Sequence, residues 1–304
     1  MAFVPSGEQI EINADGWSAT VVGVGGGIRA LTKDGHDVLD GYGIDEMCSA
    51  GRGQLLLPWP NRIADGRYGF AGETLQLPLS EPPLRNAIHG LTRWVDWEVL
   101  ERSSDSVRMG YALRPQPGYP FGLDLSSRFA LGPTGLRVTI QATNVGGCRC
   151  PFGAGAHPYI TGGSPHIDGD IVTVPADVYL VADERQIPVE ARPVAGTDRD
   201  LRGGKRIGGA VLDTCYTDLR RDIDGRAHVR LEGQRNQNVV LWVDEAFPYV
   251  MIYSGDTVHP ETRRRQALAV EPMTCAPNAF NSGDGVLVLE PGASFLGTFG
   301  IGLE

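Results

Sequence analysis

Short runs in which apolar and polar residues alternate, each closed by glycine or proline, recur along the whole chain. No other feature constrains the fold as strongly. "GLRVTIQATN" (135–144) sets Leu136, Val138, Ile140 and Ala142 on one side, the period of two expected of a strand with one buried face. "LDLSSRFAL" before it sets Leu125, Ser127, Phe129 and Leu131 on one face, and "GPTG" joins the two as a hairpin. "NVVLWVD" and "YVMIYSG" read as a similar pair around "EAFP", and "GIRALTKDGHDVLDGY" as a hairpin with Asp34-Gly35 at its tip. "GVLVLEPGASFLGTFGIGL" reads as two more strands turned at Pro291-Gly292. No dozen-residue window shows clean helical spacing, because Gly or Pro interrupts nearly every candidate. The 41 Gly and 21 Pro of the 304 residues act as turn punctuation. The chain therefore reads as all-β and mostly antiparallel. Without a linker-like stretch or a fixed-period repeat, residues 1–304 read as a single domain.

A 41% hydrophobic, 21% charged composition supports a packed core. The formal net charge of −10 would repel a phosphate backbone, so nucleic acid is not an expected partner. No stretch approaches the roughly 18 apolar residues of a membrane span. The N-terminal "MAFVPSGEQIEINADGW" lacks the basic start and apolar run of a signal peptide. Five cysteines, with only Cys148 and Cys150 close together, read as free thiols rather than a zinc site. A cytoplasmic protein with a small or neutral ligand is the expectation.

"GGGIRA" (25–30) fits a dinucleotide fingerprint formally, but a hairpin follows it where the fingerprint needs a helix. In "LLLPWPNRIADGRYGF" (55–70), Pro58 and Pro60 stiffen the path through Trp59. Arg62 is then either a surface arginine or a polar fork aimed into a cleft beside Trp59, a combination that suits a sugar. "NAIHGLTRWVDWEV" (86–99) holds His89, with Trp94 and Trp97 read as core. "GAGAHPYI" (153–160) clears bulky neighbours from one side of His157 and stiffens the other. "VLDTCYTDL" places Asp213 after two apolar residues. "ALAVEPMTCAPNAFNSG" places Glu271 at the mouth of a buried run stopped by Pro272, a plausible general base. Gly-x-Ser-x-Gly, His-Glu-x-x-His and the P-loop are absent.

In chain order, "LLPWPNRIADGRY", "NAIHGL", "GAGAHPYI", "LDTCYTDL" and "VEPMTCAPNAFNSGDGVLVLEPG" resemble the aldose 1-epimerase (galactose mutarotase) family, from about Gly25 to the closing strands. The resemblance implies a β-supersandwich of antiparallel sheets with a sugar bound in a cleft on one face. It implies His157 as general acid and Glu271 as general base. Asn61, Arg62, His89 and Asp213 would hold the sugar's hydroxyls and ring oxygen. Tyr159, beside Pro158, would direct the imidazole and border the substrate. It implies no metal and no cofactor. On this reading the small residues before His157 leave room for a pyranose, and neighbouring carboxylates keep His157 an imidazolium.

The chain departs from galactose-specific members at Ile160 after His-Pro-Tyr and at "EPMT" in place of Glu-x-Gln, which leaves the sugar open. Paired carboxylates Asp213 and Glu271 could instead cleave glycosides, but His157 would then be idle. Arg263 to Arg265 raise a sugar-phosphate epimerase as an alternative, although such a charge run reads more simply as a solvated loop. A carbohydrate-binding module without turnover would need no acid–base pair. Either a monomer or a homodimer is compatible with the many strand edges.

Overall fold

The computed structural model describes residues 3–234 and 237–304. The four-residue helix Ala279–Ser282 and three short 3-10 turns are the only helical pieces among the described residues. The hairpin Leu123–Gly132/Gly135–Asn144 forms in the expected register, with Leu125 opposite Ala142 and Phe129 opposite Val138. Its Leu125, Ser127, Phe129 and Leu131 are buried while Asp124 and Arg128 are exposed. Each large apolar side chain so buried contributes about 1.5–3 kcal/mol. The Asp34-Gly35 tip also forms, both residues at positive φ (49° and 81°) between paired Lys33 and His36, as a two-residue hairpin turn with right-handed strand twist requires.

Two large antiparallel sheets dominate. One has nine strands in the order Glu98–Arg102, Ser106–Leu113, Leu123–Gly132, Gly135–Asn144, Ser294–Leu303, Asn238–Val243, Ala227–Glu232, Ile171–Thr173 and Lys205–Arg206. The other runs Pro188–Pro193, Ala176–Ala182, Asp213–Leu219, Tyr249–Tyr253, Leu268–Met273, Gly155–Ala156 and Leu55–Leu56, with Tyr159–Ile160 also on Leu268–Met273. A four-stranded N-terminal sheet, Gln9 to Asp37, adds its Ile10, Ile12 and Leu31 to the same core cluster as Phe129, Ile140, Leu241, Ile252 and Val270.

One expected hairpin does not exist. Asn238–Val243 pairs with Ala227–Glu232 and Ser294–Leu303, whereas Tyr249–Tyr253 pairs with Asp213–Leu219 and Leu268–Met273. "EAFP" is thus a crossing between the two large sheets. Both strands carry nearly continuous buried runs, and each lies inside its own sheet with a neighbour on either side. Phe247, fully buried, fixes the crossing against Phe295 and Phe299 at ring distances of 6.4 and 6.1 Å. Similarly, Leu287–Leu289 pairs with Cys150–Phe152 and not with the strand that follows Gly292.

Strand parity creates the functional face. Along Leu268–Met273 the side chains of Leu268 and Val270 enter the core, as do those of Val250 and Ile252 next door. The alternate residues, Ala269, Glu271, Met251 and Tyr253, turn to the opposite face, where small clusters form with Tyr159 and Cys215. Glu271 therefore sits mid-strand, and Pro272 does not stop the strand but stays in register opposite Val250.

Candidate active site

Cross-strand register brings the two key groups together. Gly155 lies opposite Met273 and Tyr159 opposite Ala269, so His157, between them, faces Glu271. The strand pairing beyond adds Met251 opposite Glu271 and Asp213 opposite Tyr253. His157 Nε2 lies 3.3 Å from Glu271 Oε1, with both side chains buried. Among the described residues His157 Nδ1 and Glu271 Oε2 have no hydrogen-bond partner, which is unusual for buried polar atoms.

Local structure holds His157 from three directions. Its N–H donates to the Gln54 carbonyl (3.0 Å) and its own carbonyl accepts from Gly53 N–H (2.9 Å). Its ring stacks on Tyr159 with centroids 5.1 Å apart and planes at 14°. The Tyr159 hydroxyl is committed to the Ala50 carbonyl (3.1 Å), and the Arg52 guanidinium lies over its ring at 4.6 Å. Space for the imidazole comes from Gly51, at φ 73°, where a Cβ would fall 2.8 Å from His157 Cδ2. The glycines of "GAGA" serve another purpose. A Cβ on Gly155 would meet Pro60 Cβ at 2.8 Å and the Pro272 carbonyl at 2.9 Å, and one on Gly153 would meet Cys275 Sγ at 2.7 Å. They admit the Pro58–Pro60 segment and the Glu271 strand, not a ligand, contrary to the expectation from sequence.

Asn61 and His89 lie side by side at one end of the paired segments Arg62–Ala64 and Asn86–Ile88, where Arg62 is opposite Ile88. Both sit at positive φ, 54° and 62°, a strained state that tends to gather at functional sites. The Asn61 N–H donates to His89 Nδ1 (3.2 Å), and the His89 N–H donates to the Asn61 carbonyl (2.9 Å). With Nδ1 an acceptor, neutral His89 carries its proton on Nε2. Its ring meets that of His157 edge-on at 5.3 Å. The Arg62 guanidinium is a fork on Glu81, at 2.8 and 2.9 Å.

These groups line a cleft of about 380 Å³ that contains all seven residues expected from sequence: Asn61, Arg62, His89, His157, Tyr159, Asp213 and Glu271. That volume lies within the usual range of small-ligand sites, roughly 300–1,000 Å³. A wider depression of about 1170 Å³, bordered by Lys33, Asp34, His36 and Glu46, holds no such buried acid–base pair. Trp59 does not reach the cleft; it is buried against Phe280 at 5.9 Å. The exposed indole at the rim is Trp94, 52% exposed, a residue that reads as core in the sequence. Gly51, Glu81 and Arg93 also went unseen, because each acts through a partner distant in the chain. Arg263, Arg264 and Arg265 are not a solvated run either. Arg263 pairs with Asp40 (2.6 Å), Arg264 with Glu261 (3.0 Å) and Arg265 with Asp168 and Asp256 (2.7 and 2.6 Å).

Burial governs the electrostatics. It pushes Glu271 well above the usual carboxylate range, helped by Asp213 and opposed by Arg62. It pulls His157 down to about 3, with Arg93 the strongest charge acting in the same sense. His89 is held well below its ordinary value by burial and then by Arg93. Asp213 is raised by burial, against the pull of Arg62. Burial and the arginines outweigh the carboxylates and disfavour the expected imidazolium. At 3.3 Å a proton can pass directly between the two groups, and burial favours the neutral form of each. His89, His157 and Glu271 also place donor atoms within 4.8 Å of one another. That set could ligate a divalent ion, which the nearby Arg62 and Arg93 would oppose.

A strand-built cleft with a buried carboxyl–imidazole pair is equipped for acid–base chemistry. The chain matches the aldose 1-epimerase family over residues 8–301 and belongs to it. It is 36% identical over 288 residues to the uncharacterized protein YihR of Escherichia coli K12, covering 94% of this chain and 90% of that one. A galactose mutarotase-like protein from Clostridium acetobutylicum shares the fold at a TM-score of 0.86 and 20% identity, covering 97% of this chain and 95% of the other. Galactose 1-epimerase from Lactobacillus acidophilus shares it at 0.81 and 22% identity, covering 97% and 94%.

Proposed function

We propose that this protein is an aldose 1-epimerase that interconverts the α and β anomers of a hexose by opening and reclosing the ring. The observation that carries the reading is the buried His157–Glu271 pair, 3.3 Å apart, with an unpartnered atom on each side chain. Mutarotation needs one base for the anomeric O1–H and one acid for the ring oxygen O5. A pair holding one proton supplies both, whichever partner starts with it.

With the sugar in place the proton passes from Glu271 to His157, and the Glu271 carboxylate then takes the O1 proton as the His157 imidazolium protonates O5. The C1–O5 bond breaks and O1 becomes the carbonyl oxygen of the open aldehyde. Rotation about C1–C2 presents the other face, O5 attacks C1, and the two groups exchange roles. The proton count is unchanged over the cycle, so no metal or cofactor is required. The His89 Nε2–H and Arg62 Nη1, the nitrogen outside the fork on Glu81, donate to sugar oxygens, Asp213 accepts from hydroxyls, and Asn61 fixes the His89 tautomer. Tyr159 supports the His157 ring from beneath and borders the sugar with its edge.

Polarimetry on freshly dissolved α-D-glucose and α-D-galactose tests this with wild type, Glu271→Gln and His157→Asn. Wild type should accelerate the decay of rotation, and each variant should lose roughly 10²–10⁴-fold without any loss of thermal stability. Retained activity in either variant would overturn the assignment of that residue. A sugar that binds wild type by calorimetry without any acceleration would point instead to a binding module.

A further inference from the structure

Of the arginines lining the cleft, Arg62 is neutralised by its fork on Glu81, but Arg93 is not neutralised at all. Among the described residues no carboxylate lies within 4.0 Å of Arg93, and its Nε is buried without a partner. Its one side-chain hydrogen bond, from Nη2 to the Ile88 carbonyl, is long at 3.4 Å. The residue is nonetheless fixed in place. Its carbonyl accepts from Gln54 Nε2 (2.9 Å), next to the Gln54 carbonyl that anchors His157, and its guanidinium leans over Trp94 at 5.7 Å. Burial without a counter-charge disfavours a guanidinium, yet arginine cannot shed its proton in response. Other partly buried arginines are better satisfied: Arg52, Arg202, Arg263 and Arg265 are each paired with aspartate, and Arg221 donates to the carbonyls of Gly225, Val243 and Phe247.

We infer that the counter-charge arrives with the ligand: the preferred substrate is an aldose bearing an anionic group, a carboxylate or a phosphate, whose oxygens take the open edge of Arg93. This rests on the epimerase reading above and narrows its substrate class. The planar guanidinium fork matches the geometry of either oxyanion. In a chain of net charge −10, attraction of an anion must be local, and Arg93 is local to the reacting groups. It is the strongest charge holding protons off both His89 and His157. An anion seated on it would cancel that field and let His157 take the shared proton as the ring oxygen arrives. The arginines that looked like a phosphate site in the sequence, Arg263 to Arg265, are all committed to carboxylates.

The test compares D-glucose, D-glucuronate and D-glucose 6-phosphate by NMR saturation transfer between the C1 protons of the two anomers, with wild type, Arg93→Gln and Arg93→Lys. In wild type, kcat/KM for glucuronate or glucose 6-phosphate should exceed that for glucose by about tenfold or more. Arg93→Gln should reduce that preference by roughly 10–100-fold, the usual worth of a hydrogen bond to a charged group. Arg93→Lys should restore only part of it, and inorganic phosphate should compete with glucose in wild type. Equal rates for all three sugars, or equal losses for all three in Arg93→Gln, would overturn the proposal and leave the epimerase reading intact. Should no aldose turn over, that reading fails, and calorimetric binding of the same sugars decides this one. A preference for the anions that Arg93→Gln abolishes would support it, and equal binding would sink it.

Discussion

At the scale of single residues, the chain keeps two groups in a state that costs stability. Glu271 is completely enclosed, and its raised proton affinity means the folded protein resists an ionisation that the unfolded chain undergoes freely near pH 4.5. The stability associated with the protonated form is fully present below that pH and is lost as pH rises towards the folded-state value. Glutamine keeps the shape without the titration. Glu271→Gln should therefore melt a few degrees above wild type at pH 8, with a smaller difference at pH 5. His157, lowered to about 3, loses stability as pH falls from about 6.5, but it does so in both proteins and largely cancels from the comparison. Melting curves at the two pH values check this, and an equal difference at both would mean Glu271 is not held protonated. Under the catalytic role proposed for Glu271, a more stable neutral isostere would fit the general conflict between activity and stability.

At the scale of elements, the site is a cross-strand pair. A slip of one residue in Leu268–Met273 would turn Glu271 into the core and Val270 into the cleft, so strand register and catalytic geometry are one constraint. Gly155 keeps the adjoining strands close. In Gly155→Ala the new methyl would press on a proline ring at 2.8 Å and a backbone carbonyl at 2.9 Å, neither of which can swing away. The expected cost is about 1–3 kcal/mol in urea unfolding, along with reduced turnover as His157 and Glu271 separate. Wild-type stability in this variant would show that the two segments are less tightly packed than the distances say. Much at this level was legible in sequence. The Leu123–Asn144 hairpin and the Asp34-Gly35 turn follow from alternation and turn chemistry within a few residues. The "EAFP" crossing was not legible, because a short link between two apolar strands looks the same whether they pair or part.

At the scale of the whole molecule, one core cluster takes side chains from Ile10 near the start to Ile301 near the end. Residues so joined should unfold together, so calorimetry should show a single transition with matching calorimetric and van't Hoff enthalpies. Two resolved transitions would instead divide the chain into independent units. The sequence by itself determined the strand class and the order of the motifs, because alternation and turn propensity are local, and the resemblance of those motifs to the aldose 1-epimerase family pointed to the seven side chains that meet in the cleft. Tertiary structure alone decided which strands share a sheet, that Gly51 rather than "GAGA" makes room for His157, and that Trp94 rather than Trp59 lines the cleft. It also decided that burial favours the neutral form of the pair and that, of the two arginines lining the cleft, Arg93 is the one without a carboxylate partner among the described residues. Each of these depends on what packs around a group from far along the chain, since burial and neighbouring charge set proton affinity and free space, and no local pattern encodes them.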